Sequence, residues 1–402
     1  MRKPILLFLF VCAFQALLFS QALTGVKTIP GDYANLTAAF TALNSNGVGS
    51  GGVTFNVAAG SVFNERPPVL TVKGTAANPV VFQKSGSGNN PKVVPNSAGT
   101  LTPGTYYSHG DAIIRLSGAR YVTFDGIDLE ENTAYTTATE FSETGYNILK
   151  ENATSGCKYI TIKNCRIKLS SSLLTGTAIL IADRNAAGSA VAASNKQGTF
   201  NNLKFYGITS DSICSGIMKY QSQSVFYDSL ADDSLDIGVE GGNIFYAIGA
   251  TVMNSTAFGV NVVSEWQKTV RIHNNTIIGR KNDWTGDTWG IMVSDMPGAK
   301  VSIQNNTIRD MRAYYSLRGI SNAGGNNTGS SSNHVLIKNN SVRNCVYGPL
   351  GSGALIQSSS SAPFTIIQNN LIDSVTGNAA GNGIYCSTSP DSLLITGNTI
   401  SN

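Results

Sequence analysis

One eight-residue pattern, repeated five times in the last third of the chain, limits the available folds more than any other feature of these 402 residues. In each copy apolar and polar residues alternate, an Asn or Gly interrupts the alternation, and an apolar residue closes the pattern. The third residues of successive copies are 31, 34, 30 and 28 positions apart. The copies are Val270–Ile277, Val301–Ile308, Val335–Val342, Thr365–Ile372 and Leu393–Ile400. Repeats of this length predict stacked structural units.

The pattern predicts a strand, a tight turn and the start of a second strand. Alternation with a period of two is typical of a strand, and Asn and Gly tolerate the left-handed backbone that such a turn requires. We expect Asn274, Asn305, Asn339 and Asn369 to form one inward column, spaced about 4.8 Å apart, in which their amides bond to one another. Their predicted role is structural, and the inward position argues against glycosylation. Weaker copies are Val122–Leu129, Ile160–Ile167, Leu203–Ile208 and Thr251–Thr256.

A further strand follows each turn after a variable loop. Its copies are Gly290–Val293, Gly319–Ile320, Gly353–Ile356 and Gly383–Tyr385. Recurrent parallel strands without a helical crossover indicate a solenoid. We therefore predict an all-β fold, a right-handed parallel β-helix, with the hand taken from general strand chirality.

The first hundred residues do not show the Asn-turn repeat and follow a different pattern. Within Asp32–Leu43, four apolar residues share one helical face and Asn35 can serve as N-cap. These four are Leu36, Ala39, Phe40 and Leu43. We predict a short helix that caps the solenoid, because a repeat array needs a covered end. The first strands are predicted at Val53–Val57, Leu70–Val72 and Pro79–Phe82.

The amino terminus has the form of a secretory signal. Arg2 and Lys3 precede the apolar run Ile5–Phe19, which is short for a membrane span. We predict a signal peptide over residues 1–22, cleaved after Ser20 or Ala22, and a secreted or outer-surface protein without a remaining membrane span. A retained anchor is the alternative.

Composition excludes several other classes. Only 13% of residues are charged and 42 are Gly, which argues against helical bundles. The net charge of +4 forms no basic stripe, so we expect no nucleic-acid partner. After the predicted signal peptide five of the six cysteines remain, and without a CxxC they argue against zinc. One or two disulfides remain open, although Cys165 is predicted to be a buried apolar residue. We expect a monomer.

A family resemblance rests on four elements: Gly31-Asp-Tyr33 before the helix, Gly60–Glu65, Gly74–Phe82 and the Asn-turn repeats. Together they resemble secreted pectate-lyase-like β-helix proteins of Bacteroidetes type, over residues 25 to 402. The resemblance implies the β-helix fold and a polysaccharide-facing role. The superfamily includes lyases, hydrolases and esterases as well as noncatalytic surface proteins, so the resemblance does not select an activity.

The predicted organisation has three parts. After the signal peptide, residues 23–110 form the N-terminal cap and first coils, and residues 111–402 form the repeats. The last repeat stops directly after Ile400 without a cap, which would leave an open strand edge. We therefore expect the repeat region to be incomplete at its C-terminus.

Motifs of the enzyme branches are largely missing from the sequence. Arg166-Ile-Lys168 resembles the Arg-Ile-Lys of polygalacturonase-like enzymes, but it precedes any suitable partner and is interpreted as coincidence. The densest carboxylate run could hold Ca²⁺ or supply a glycosidase pair, against the simpler interpretation of a solvated turn. It consists of Asp228, Asp232, Asp233, Asp236 and Glu240.

The variable loops give the best candidate site, because they recur once per coil and should gather on one side. Aromatic rings stack on the C–H faces of sugars, and charged groups bond to hydroxyls or uronate carboxylates. The predicted substrate-binding residues are Trp284, Trp289, Tyr314, Tyr315, Arg280 and Lys281. The predicted catalytic residues are Asp287 and Asp310 as acid or base, with Arg312 and Arg318 neutralising a uronate.

The sequence thus favours an extracellular β-helix that binds or cleaves a polysaccharide, by lyase or glycoside hydrolase chemistry. The alternative is a noncatalytic surface adhesin or structural repeat protein. A groove with carboxylates or Lys/Arg beside Asp would favour the enzyme, and a flat face of Ser, Thr and Asn would favour the adhesin.

Overall fold

In a computed structural model of the protein, parallel strands stacked in three sheets form a β-solenoid of about ten turns, and the described part of the chain contains one α-helix. Among the described residues no helix is both long and apolar enough to cross a bilayer. The structure describes residues 21–99, 111–137, 139–170, 176–211, 213–221, 234–248, 257–264, 267–279, 286–326, 334–348, 351–377 and 381–401.

The first sheet contains one strand of each coil and includes the predicted repeat strands. Its strands are hydrogen-bonded to one another in chain order. They are Leu23–Ile29, Val48–Ala58, Val80–Ser85, Arg120–Asp125, Lys158–Lys163, Asn201–Tyr206, Ser234–Ile237, Thr269–His273, Lys300–Gln304, His334–Lys338, Phe364–Gln368 and Ser392–Thr396.

The second sheet starts directly after the tight turn of each coil. Its strands are Val62–Asn64, Lys92–Val94, Asp128–Glu130, Arg166–Lys168, Ile208–Asp211, Asn243–Ile248, Asn275–Gly279, Thr307–Arg309, Ser341–Tyr347, Leu371–Gly377 and Thr399–Ser401. The short strand Arg312–Ala313 also pairs with Ser341–Tyr347.

The third sheet completes each coil from the coil of Val80–Ser85 onward. Its strands are Ala112–Ser117, Thr144–Leu149, Thr177–Ala182, Ser215–Gln221, Ala257–Ser264, Thr288–Asp295, Leu317–Asn322, Gly353–Ser358 and Gly381–Cys386. Gly290 of this sheet packs against a core side chain of the second sheet. A Cβ at Gly290 would lie 2.5 Å from the carbonyl oxygen of Gly319 and 2.9 Å from Ile308 Cγ2, which is too close for a side chain. Close packing therefore explains the Gly that recurs in this strand, although Leu355 occupies this position in the coil of Gly353.

The predicted vertical stacking of the coils is confirmed. Ile272, Ile303, Ile337 and Ile367 pair in register, and each is fully buried. In the first coils the same column holds Phe55, Phe82 and Phe124, whose rings stack at centroid distances of 4.6 and 5.2 Å. Each such side chain contributes about 1.5–3 kcal/mol through burial, so the column is a major source of stability.

The turn after the first sheet uses Asn or Gly as predicted, but the amide column is shifted by one residue. Asn274, Asn305, Asn339 and Asn369 are exposed and adopt left-handed φ angles of 55–59°. In each turn, the residue that follows this exposed asparagine points inward instead. Each inward side-chain NH₂ donates at 2.9 Å to the oxygen of the following one, along Asn243, Asn275, Asn306, Asn340, Asn370 and Asn398.

The two asparagines of each turn therefore have separate tasks. The first meets the backbone requirement of the turn, as Gly126, Gly207 and Gly397 do in other coils. Its exposure removes the burial argument against glycosylation. The second asparagine also donates to the backbone of the preceding coil, as Asn306 does to the Ile272 carbonyl at 2.8 Å. We call this inward series the asparagine ladder.

The capping helix is confirmed as Leu36–Asn46. Asn35 accepts from the Ala38 amide at 2.9 Å, and the four predicted apolar residues are buried. The Glu65 carboxylate, 5% exposed, accepts from the first amides of the helix, Leu36 at 3.0 Å and Thr37 at 2.8 Å. A carboxylate in this position is favoured by the helix dipole and by the unpaired N–H groups.

Some predictions need correction or fall outside the described residues. The described residues do not include the weak repeat copy predicted at Thr251–Thr256 or residues 1–20 of the predicted signal peptide. In the structure, the first-sheet strand between Asn201–Tyr206 and Thr269–His273 is Ser234–Ile237. Asp236 therefore lies in a strand rather than in a solvated turn. Leu23–Ile29 is a strand that the sequence did not predict. Cys165 is buried, and no disulfide joins any two of the five described cysteines.

Substitution within the ladder should be far more damaging than substitution beside it. We expect Asn306→Ala to lower the free energy of unfolding by about 2–4 kcal/mol, because the buried Asn275 backbone N–H loses its acceptor and the side-chain bonds to Asn275, Asn340 and the Ile272 carbonyl are lost. Asn305→Gly is the matched control and should change it by less than about 1 kcal/mol, because Gly occupies this position in other coils. Urea denaturation measures both, and equal losses would contradict the ladder's role.

Candidate functional site

Trp289 and Arg318 form the clearest part of the predicted loop face. They pair in adjacent strands of the third sheet, and the Arg318 guanidinium carbon lies 5.1 Å from the centre of a Trp289 ring. Phe258 pairs with Trp289 on its other side, at a ring distance of 6.1 Å. We call these three residues the aromatic column. A cation over an aromatic face is a favourable contact of about 0.5–2 kcal/mol.

Asp287 and Tyr315 lie next to this column and connect two coils. The Asp287 carboxylate accepts from the Ser316 amide at 2.9 Å, and the Tyr315 amide donates to the Gly286 carbonyl at 3.0 Å. The Tyr314 and Tyr315 rings meet edge to face at 5.0 Å. Asp287 therefore has a defined bonding role in the loop. Its catalytic role remains a prediction.

Asp310 and Arg312 lie at the corner between the second and third sheets. Asp310 has a left-handed backbone and forms an ion pair with Arg309 of the second sheet. The Arg312 carbonyl accepts from the Thr288 hydroxyl at 3.2 Å, which places the backbone of Arg312 beside the strand of Trp289. Arg280, Lys281 and Trp284 lie outside the described residues.

The outer face of the third sheet carries an additional column that the sequence did not identify. Arg115, for example, points outward because Ile114 and Leu116 on either side of it are in the core. Strand pairing places the corresponding residues of the other coils in line with it. We call this set the outer column: Arg115, Asn147, Leu180, Met218, Asn261 and Met292.

The middle of this face is apolar and partly covered. Leu180, Met218 and Phe258 belong to a buried cluster separate from the main core, and Trp289 and Met292 pack against it. The segment that follows the third-sheet strand Thr177–Ala182 is held against the sheet by an ion pair of 2.5 Å between Lys150 and Asp183. Both side chains are almost completely buried.

Unused hydrogen-bonding capacity is concentrated on the same face. Within the described residues, both amide atoms of Asn147 and of Asn261 are buried without a hydrogen-bond partner, as are the hydroxyls of Thr144 and Ser215. Buried polar groups nearly always have partners, so such atoms indicate a site for water or ligand. The sequence signal is a polar residue between two core residues, as Asn261 is between Val260 and Val262.

A group of carboxylates lies where the third sheet begins. Arg66 donates to the Ala112 carbonyl at 2.8 Å and to the Ser142 hydroxyl at 3.2 Å, and the Ser142 amide donates to Glu131 at 2.6 Å. The adjacent Glu143 accepts from the Asp111 amide. Burial raises the pKa of Glu143 to about 7 and also raises the pKa of Glu131. A carboxyl group that titrates near neutral pH can transfer protons.

A concave surface lies on the outer side of the second sheet. This groove of about 620 Å³ is lined in part by Arg166 and Lys168 of the triplet interpreted as coincidence. Glu130 binds Lys168 at 3.3 Å and Lys92 at 2.6 Å, and Arg166 binds Asp211 at 3.2 Å. Because its three cations are already paired, this groove has less free binding capacity than the third sheet.

The predicted calcium site remains untested. Asp228, Asp232 and Asp233 lie outside the described residues, and Asp236 forms a two-fold ion pair with Arg271, with distances of 2.5 and 2.6 Å. Glu240 binds Lys204 at 2.5 Å. In the described ranges, no three His, Cys, Asp or Glu side chains are grouped as metal ligands would be.

Comparison with known proteins gives structural likeness only. No protein-family model matches the chain, and no curated protein matches it. A GH136 lacto-N-biosidase from Eubacterium ramulus is 13% identical with a TM-score of 0.48, covering 89% of this chain. The chain spans 64% of that enzyme's length.

Two further structures differ from it in activity. An alginate lyase from Paenibacillus sp. is 10% identical with a TM-score of 0.36, covering 87% of this chain and 94% of its own. PfbA, a surface adhesin of Streptococcus pneumoniae, is 11% identical with a TM-score of 0.35, covering 85% and 87%. At these values the likenesses carry no conclusion about what this chain binds.

The raised pKa of Glu143 predicts a pH-dependent stability. The folded state holds the Glu143 carboxyl proton more tightly than the unfolded state does. The stability that this proton contributes is therefore fully present below pH 4.5 and is lost as the pH rises through about 7. Glu143→Gln should therefore stabilise the protein above pH 7, by up to about 3 kcal/mol, and not at pH 4. Asp111 and Arg66 are the charged groups facing Glu143.

Glu130→Gln is the matched control for denaturation curves recorded at pH 4 and pH 8. Its pKa is lowered, chiefly by the Lys92 hydrogen bond, so its contribution is present at neutral pH and lost in acid. This variant should be destabilised at pH 8. If Glu143→Gln were also destabilised at pH 8, the buried neutral form of Glu143 would be refuted.

Proposed function

We propose that this protein is an extracellular polysaccharide-binding protein that holds its ligand along the outer face of the third sheet. The observation that carries the proposal is the aromatic column, in which a partly exposed Trp289 is stacked with Arg318. Its exposed indole edge offers an apolar contact for a sugar ring, and the guanidinium offers donors for hydroxyl or carboxylate oxygens.

The dimensions and chemistry of this face suit a linear polymer. Successive coils repeat about every 4.8 Å along the axis, close to the length of one sugar ring, so equivalent side chains can meet successive sugars. Asn261, which is fully buried in the strand paired with that of Trp289, has an amide without a hydrogen-bond partner. This face also carries Asn147, Asn261, Thr144 and Ser215, but its aromatic, methionine and arginine side chains are not expected of the flat Ser, Thr and Asn surface of the adhesin alternative.

Binding is favoured over cleavage at the aromatic column. Asp287 is engaged by a backbone amide and Asp310 by Arg309, so neither is held as a free acid or base. If the protein also cleaves its ligand as a lyase or hydrolase, Glu143 is the carboxyl group whose pKa suits proton transfer.

Trp289→Ala should weaken binding to the preferred polysaccharide by at least about tenfold, or 1.4 kcal/mol. Immobilised acidic and neutral polysaccharides, screened with purified protein, would identify the ligand and measure this loss. Tyr159→Ala is the matched control, because Tyr159 is 40% exposed and stacks on Tyr121 in the first sheet. It should bind as the unaltered protein does.

The same screen tests cleavage. Reducing ends would indicate a hydrolase, and reducing ends with ultraviolet absorbance of unsaturated products would indicate a lyase. Binding that is equally strong in Trp289→Ala would refute the aromatic column as the site, as would failure to bind any polysaccharide.

A further inference from the structure

We propose that Arg115 and Asn147 form a subsite for the carboxylate of a uronic acid, so that the ligand is an acidic polysaccharide. This inference names the substrate class of the proposed function and rests on it. The subsite lies at the N-terminal end of the outer column, away from the predicted loop face.

Arg115 is a partly buried cation whose charge is poorly compensated. Within the described residues its guanidinium forms neither a hydrogen bond nor an ion pair. Burial lowers its pKa, Asp111 opposes this effect from a distance, and Arg66 adds to it. A desolvated guanidinium is unfavourable without an anion, and its planar array of donors fits a carboxylate in two-point contact.

Asn147 provides unsatisfied polar atoms directly beside this cation. The two residues pair in adjacent strands, and Asn147 points outward because Tyr146 and Ile148 are in the core. It is fully buried, and neither its amide oxygen nor its nitrogen has a partner. The hydroxyl of Thr144, on the same strand, is also buried and unpartnered. Arg115, by contrast, is partly exposed.

A uronate would satisfy these groups together. Its carboxylate can accept from the guanidinium and from the Asn147 NH₂, while a sugar hydroxyl can donate to the Asn147 oxygen. A neutral sugar would leave the guanidinium without a counter-ion. The arrangement therefore distinguishes acidic from neutral sugars by an unpaired buried charge, a strong basis for specificity.

The subsite is too far from the aromatic column for one sugar to reach both. Four strand spacings separate Asn147 from the strand of Trp289, roughly 19 Å. A monosaccharide therefore tests the subsite alone, whereas a polymer tests the whole face.

Saturation-transfer NMR with D-glucuronate and D-galacturonate, against D-glucose and D-galactose, tests the subsite. At least one uronate should bind at least tenfold more tightly than its neutral counterpart, and acetate should compete with it. Arg115→Gln and Asn147→Leu should each reduce uronate binding at least tenfold. Arg166→Gln is the matched control: it removes an exposed arginine of the second sheet and should leave binding unchanged.

Thermal unfolding shows whether a variant that has lost uronate binding is still folded. Asn147→Leu should melt at the same temperature or higher, because leucine replaces an unpartnered buried amide and matches its column neighbour Leu180. A variant that is stable but has lost uronate binding supports the subsite. Uronates that bind no better than neutral sugars, or binding that survives both substitutions, would overturn it.

Failure of this inference can be told apart from failure of the proposed function. If polymer binding depends on Trp289 while uronates do not bind, only the subsite is wrong. If uronates bind through Arg115 while polymer binding is unaffected by Trp289→Ala, the aromatic column is wrong and the subsite stands.

Discussion

Hydrogen bonding between successive coils is the interaction on which the whole molecule depends. Each strand pairs in parallel with its counterpart one coil away, so a single register fixes the core, the turns and the outer faces. Inside the turn, the asparagine ladder bonds side chain to side chain and side chain to backbone, as Asn306 does with Asn340 and Ile272. A one-residue shift would move the core residues to the surface, so the register is strongly specified.

Much of the fold was predictable from the repeats, because alternation and spacing report directly on strand and coil. The ladder was placed one residue early, since two adjacent asparagines such as Asn305 and Asn306 look alike in sequence. Only the backbone separates them: the first occupies the left-handed region and the second faces the core. Ser234–Ile237 was missed because one short strand with a polar flank does not match the longer pattern.

The candidate site was predictable from the sequence only for residues that have a recognisable chemical type and also lie in a segment that recurs in each coil. Trp289 and Arg318 were predicted as parts of the loop face, one as a binding and the other as a catalytic residue, and the structure stacks them. Arg115, Asn147 and Glu143 carry no motif. Their interest arises from burial and from the partners they lack, which depend on how neighbouring coils cover them. A sequence gives residue types, but desolvation is a property of the folded chain.

The asparagine ladder also has a direction. In all five of its amide-to-amide contacts the NH₂ belongs to the earlier coil and the oxygen to the later one. The side-chain dipoles are thus aligned head to tail along the solenoid axis, and each bond polarises its neighbours. Members in the middle of such a chain are held more strongly than its first and last. The interior consequently carries an aligned row of side-chain dipoles along the solenoid axis, at right angles to the strands around it.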